Sequence, residues 1–146
     1  DRADLLIKEA KRRGKLDDPV LRQELMKLYA AEVCQSLIGM QTRAALQAGK
    51  TPGPGGSLGK LAGANIAAAY RGLSLGVVGA EGVAGESNSR WATEALGTFA
   101  SGIAGGTDQI QRNIIGERVL RLPREPSVDK DLPFRDLKVG TQLTGS

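Results

Sequence analysis

Between Leu58 and Ala80 the chain carries only two charges, Lys60 and Arg71. A stretch that is apolar on nearly every side over such a length reads as a helix buried among others, and every other element must be arranged around it. Gly59, Gly63, Gly72 and Gly76 each weaken that helix by about 1 kcal/mol against alanine. The compensation they predict is the close approach of a neighbouring helix backbone. Its length also suits a membrane crossing, but Lys60, Asn65 and Arg71 interrupt it and its alanines and glycines yield little transfer energy. The reading is therefore a core helix and no membrane.

What precedes it is helical too. Ala3 to Arg13 has helix-forming composition, and Gly14 supplies a stop. Asp18-Pro19 reads as an N-cap followed by the first helical position, where proline's missing donor costs nothing. From Pro19 to about Ala48, Leu21, Leu25, Leu28, Tyr29, Val33, Leu37, Met40 and Ala44 recur at spacings of three and four, which predicts one buried stripe. Thr51 to Ser57 is a Pro/Gly loop, with Ser57 placed to cap the central helix. After the turn Gly79-Ala80-Glu81-Gly82 and the polar loop Gly85 to Ser89, a shorter helix covers Arg90 to Ser101, and the last runs from Thr107 to near Leu120. Pro123 and Pro126 hold the following stretch extended.

No alternating strand pattern appears anywhere, so the fold expected is all-α, an up-and-down four-helix bundle. The bundle domain spans 1–126, with its first helix expected to begin upstream of Asp1, and 127–146 is a tail that wraps the surface or moves. At 146 residues one such domain buries roughly 70% of its unfolded surface. Aromatic residues are only 3% of the chain and Gly numbers 20, which suits close-packed helices better than strands.

Composition also removes function classes. With no histidine and the single Cys34, there is no Ser/His/Asp or Cys/His relay, no imidazole or Cys-rich metal site and no internal disulfide. A reduced, cytoplasmic setting is the expectation. The net charge of +4 raises the question of nucleic acid. Arg2, Lys8, Lys11, Arg12, Arg13 and Lys15 cluster, but no aromatics interleave and Asp1, Asp4, Glu9, Asp17 and Asp18 dilute them. They read as a solvated helix face, and no nucleic acid is expected.

The turn Gly105-Gly106-Thr107-Asp108-Gln109 leads into an amphipathic helix. Thr107 can cap it through its hydroxyl, and Asp108 sits in the first turn where the macrodipole favours negative charge. Ile110, Ile114, Ile115, Val119 and Leu122 are expected to pin it to the bundle. The paired glycines permit a backbone conformation that a side chain would block.

The longer string "GGTDQIQRNIIGERVLRLPREP", Gly105 to Pro126, closely resembles the C-terminal signature of the flavin-dependent acyl-CoA dehydrogenases. Residues from about Lys15 to Pro126 resemble that family's C-terminal helical domain in order and spacing. The resemblance implies a subunit in which FAD and an acyl-CoA thioester bind where this bundle meets two further domains. There a carboxylate takes the α-proton while the β-hydrogen leaves as hydride to the flavin. By the same resemblance Thr107 and Gln109 approach the FAD, and the turn containing Gly79 and Gly82 receives the dinucleotide of a neighbouring subunit. It also implies homo- or hetero-oligomers.

Two departures stand out. Gly105 occupies the place where many members carry the glutamate base, and other members carry theirs upstream of where this chain begins. The family's Arg-x-x-Phe-Gly turn is replaced by Ala10-Lys11-Arg12-Arg13-Gly14. Glu81, Glu86, Glu94 and Glu117 match no base position and read as solvated carboxylates, so no catalytic residue is assigned. The expectation is the C-terminal domain of an FAD-dependent acyl-CoA dehydrogenase, inactive alone. The alternative is a non-catalytic helical partner subunit of a heteromeric dehydrogenase.

Overall fold

Asp18 starts the longest element as its sequence predicts. Its carboxylate accepts from the amides of Val20 (2.8 Å) and Leu21 (3.2 Å), and α2 runs Pro19–Gln47. Before it lies α1, Arg2–Arg12, which stops as Gly14 turns to a φ of +66°. The other helices are α3 (Gly55–Val78), α4 (Ala80–Ala84), α5 (Arg90–Gly97) and α6 (Asp108–Ile114). A 3-10 segment, Thr98–Gly102, continues α5, one π-helical turn, Ile115–Val119, continues α6, and a short 3-10 turn covers Phe134–Asp136. The computed structural model describes residues 1–50, 53, 55–84, 90–124 and 132–137. The loop Gly85 to Ser89 and most of the tail lie outside them.

The fold is all-α, with no strand among the described residues. It is centred on α3, which packs against α1, α2, α5, the 3-10 segment and α6. The core joins Ala3, Leu6 and Ala10 of α1, Leu25 and Leu28 of α2, and Ile66, Tyr70 and Val77 of α3. By length and composition α3 would suit a membrane. Its two charges are used inside the bundle: Lys60 Nζ donates to the carbonyl of Ser101, and Arg71 donates to Thr98 Oγ1 (3.2 Å) and lies 3.9 Å over the Phe99 ring.

Several expectations change. The central helix begins at Gly55, so Ser57 is inside it and caps nothing. A Cβ added at Gly59, Gly72 or Gly76 would meet nothing within 4 Å, and one at Gly63 would meet only Gln35 Nε2 at 3.1 Å. Among the described residues no neighbouring backbone approaches these glycines. On α2 only Leu25 and Leu28 are fully buried, while Leu37, Ile38 and Met40 are at least half exposed. Periodicity marks a face fit for burial, and the far half of that face has no cover among the described residues. Another face of α2 meets α3 along a largely apolar groove of about 710 Å³, past Leu28, Ala31, Cys34, Ile38, Ala69 and Leu73.

Candidate functional site

Thr107 caps α6, its Oγ1 accepting from the amide of Ile110 (3.3 Å). Because that oxygen serves as acceptor, the hydroxyl proton is left to donate elsewhere. Gly105 (φ +69°) and Gly106 (φ +93°) are both left-handed, a conformation that other L-residues adopt only at a cost. A residue the sequence reading passed over holds the turn. Gln111, 6% exposed, donates from Nε2 to the Gly105 carbonyl (3.2 Å), and a Cβ at Gly106 would stand 2.6 Å from that nitrogen. Gly106 is therefore a glycine for Gln111's sake as well as for its φ. The available signal was a glutamine in register with the apolar positions Ile114 and Ile115.

Those apolar positions do less than expected. Ile114 and Ile115 are half-buried, but Ile110, Val119 and Leu122 are exposed. Gln111 and the Thr107 cap fix the turn to the helix, and α6 packs on α3 with Ile114 and Ile115 half-buried. Asp108 Oδ1 is buried with no hydrogen-bond partner among the described residues. Its place in the first turn sets the carboxylate at the positive end of α6, which offsets part of that cost.

The turn faces the start of α3. A Cβ at Gly105 would sit 3.8 Å from Lys60 Cε. Beside it a groove of about 720 Å³ is lined by Arg2, Gln35, Lys60, Ser101 and Ala104 among others. Arg2 and Ser101 also line a smaller cavity of about 310 Å³, where Tyr70 and Glu94 meet. Glu94 is not a solvated carboxylate. It accepts from the buried Tyr70 hydroxyl and from Arg90 Nε (2.7 Å). Burial acts to raise its pKa, but these two hydrogen bonds outweigh it and hold Glu94 below the usual range, while burial pushes Tyr70 upward. Glu117 is half-buried and pairs with Arg124 (3.2 Å), and Glu86 lies outside the described residues.

Gly79 and Gly82 lie at the other end of α3, roughly 28 Å along its axis from Lys60 at 1.5 Å per residue. Gly79 (φ +71°) ends α3, as a left-handed C-terminal glycine does. Gly82 is inside α4 rather than in a turn. A Cβ there would meet Val78 Cγ1 at 2.7 Å, so its missing side chain makes room for Val78. Gln109 is exposed beside Thr107. The four predicted site residues thus form two pairs at opposite ends of one helix.

Residues 3–120 match the acyl-CoA dehydrogenase C-terminal domain. The chain belongs to the acyl-CoA dehydrogenase family. It is similar to acyl-CoA dehydrogenase IpdE1 of Mycolicibacterium smegmatis, 34% identical over 122 residues that cover 82% of this chain and 30% of the relative. It is 36% identical over 126 residues to acyl-CoA dehydrogenase IpdE1 of Mycobacterium tuberculosis, covering 82% and 31%. The chain spans about three tenths of the length of these curated relatives. No solved structure matches it significantly.

For the FAD that this acyl-CoA dehydrogenase family implies, the two ends of α3 differ. At the Thr107 end a hydroxyl proton, an exposed amide at Gln109 and two side-chain-free glycines fit one edge of a flavin. At the Gly79 end the vacancy at Gly82 is filled from within, and the exposed group beside it is a carboxylate, Glu81.

Proposed function

We propose that this domain supplies the Thr107–Gln109 edge of an FAD site and part of an oligomer interface in an enzyme that dehydrogenates an acyl-CoA thioester between Cα and Cβ. The observation that carries this is the Gly-Gly-Thr turn, held left-handed by Gln111 at the head of α6. When bound, the flavin supplies the hydride acceptor. Thr107 would donate to it from a hydroxyl fixed by its cap, and Gln109 would offer its amide from the first turn of α6. Gly105 carries no proton acceptor, so the α-proton goes to a carboxylate from another segment or another chain. The domain alone is therefore inactive. Purified chain with added FAD, an electron acceptor and a series of acyl-CoA thioesters tests this, and turnover of any of them overturns it.

One observation favours a second reading, a non-catalytic partner subunit of a heteromeric dehydrogenase. Gly105 is held in a conformation hostile to the glutamate that many members carry there, as expected of a subunit relieved of that duty. Affinity purification from source cells separates the readings. A distinct flavoprotein chain recovered in equal amount supports the partner subunit. A single polypeptide much heavier than 15.3 kDa that carries this sequence supports the first.

A further inference from the structure

The Gly79 end of α3 is crowded with charge, and nearly all of it is already committed. Lys15 Nζ donates to the carbonyl of Gly76 (3.1 Å) and Arg13 donates to that of Val78 (3.2 Å), so two cations are spent on the last carbonyls of α3. This is how cations stabilise the negative end of a helix. Arg13 also binds Glu9 (2.6 Å) and Glu81 (3.0 Å), and Arg12 binds Glu9 through two nitrogens at 2.9 and 2.6 Å. What the turn shows to solvent is the Glu81 side chain, 78% exposed.

We infer that Glu81 closes this turn to the pyrophosphate of a dinucleotide, so that the chain offers a flavin its Thr107 edge and no second edge to a neighbouring copy. A pyrophosphate approaching Gly79 meets the Glu81 carboxylate and the carbonyl end of α3; Lys15 Nζ, 4.0 Å from the position of a Gly79 Cβ, and the guanidinium of Arg13 both already donate to α3 carbonyls, and Arg13 to two acids as well. The Glu81 carboxylate repels an incoming phosphate, and freeing Arg13 to bind the phosphate would first require breaking the Arg13–Glu81 pair. The left-handed Gly79 is explained by ending α3 and Gly82 by Val78, so neither glycine is left as a cradle. Copies of this chain alone then cannot complete a flavin site across a dimer. A second chain with a different turn has to supply that wall.

The inference rests on the proposed flavin site for its ligand, but its test reads phosphate binding directly and so fails or holds independently of any dehydrogenase assay. The full chain is titrated with ADP and with inorganic pyrophosphate while the backbone amide signals of Gly79 and Gly82 are followed by NMR. Wild type is expected to show no saturable shift at millimolar ligand. Glu81→Gln is expected to gain saturable binding at least tenfold tighter, weakening as salt is added, and Glu81→Ala checks that the gain comes from charge removal. Saturable shifts at Gly79 in the wild type overturn the inference, as does the absence of any gain in both variants.

Discussion

At Gly106 two costs coincide, a φ of +93° and a Cβ position 2.6 Å from Gln111 Nε2, whereas at Gly105 only the first applies. Gly106→Ala is therefore expected to lose about 1–3 kcal/mol of stability and Gly105→Ala about 1–2 kcal/mol, as urea denaturation would show. Equal losses would remove Gln111 from the explanation of the turn. Gly105→Glu places a carboxylate against Lys60 on a left-handed backbone, so it is expected to destabilise the chain without producing turnover. Glu9 makes a prediction in pH. Hydrogen bonds from Arg12 and then Arg13 hold its pKa at about 2, below the ordinary 4.5. A carboxylate depressed in the folded state stabilises fully above its unfolded pKa and loses that contribution as pH falls through its folded one. Glu9→Gln should thus cost about 1 kcal/mol at neutral pH, screened as ion pairs near the surface are, and flatten the acid limb of the stability curve between pH 4.5 and 2.

Among the elements, α3 carries the most contacts and also unused capacity. Gly72 and Gly76 are helical and open, so Gly72→Ala and Gly76→Ala should each add about 0.5–1 kcal/mol, a rise in melting temperature of a few degrees. Gly82→Ala should do the reverse, because its Cβ meets Val78. The contrast between these glycines was invisible in the sequence, since a one-letter string says where a side chain is missing and not what stands opposite. Caps were legible. Asp18-Pro19, Gly14 and Thr107 each act through neighbours within four residues, and the structure places each at the end of its helix. Contacts between distant residues were not. The start of α3 is held by Gln35 donating to the Gly59 carbonyl (3.1 Å) and by Lys60 reaching Ser101, which carries the helix into a stretch that composition assigns to a loop. Gln111 and the Tyr70–Glu94 pair escaped for the same reason.

For the molecule as a whole, the exposed apolar surface of α2 is the dominant surface fact. Ile38 lines an apolar groove between α2 and α3, Leu37 and Met40 are exposed on other sides of the same helix, and apolar surface of this kind marks a candidate interaction face. At micromolar concentration the chain is expected to elute above its monomer mass of 15.3 kDa in light-scattering chromatography. Ile38→Glu, at a half-exposed position on the groove, should shift it toward monomer, and a monomeric wild type would overturn self-association through this groove. The central helix α3, which forms the other wall of this groove, also works as a ruler. It sets the Thr107 turn at one end and the Gly79 turn at the other, with about 100° of rotation and 1.5 Å of travel for every residue between them. A single insertion in its middle would turn Tyr70 and Val77 out of register with the core and swing the Gly79 turn to another side of the bundle. Substitutions at its open glycines are cheap, and a change in its length is not.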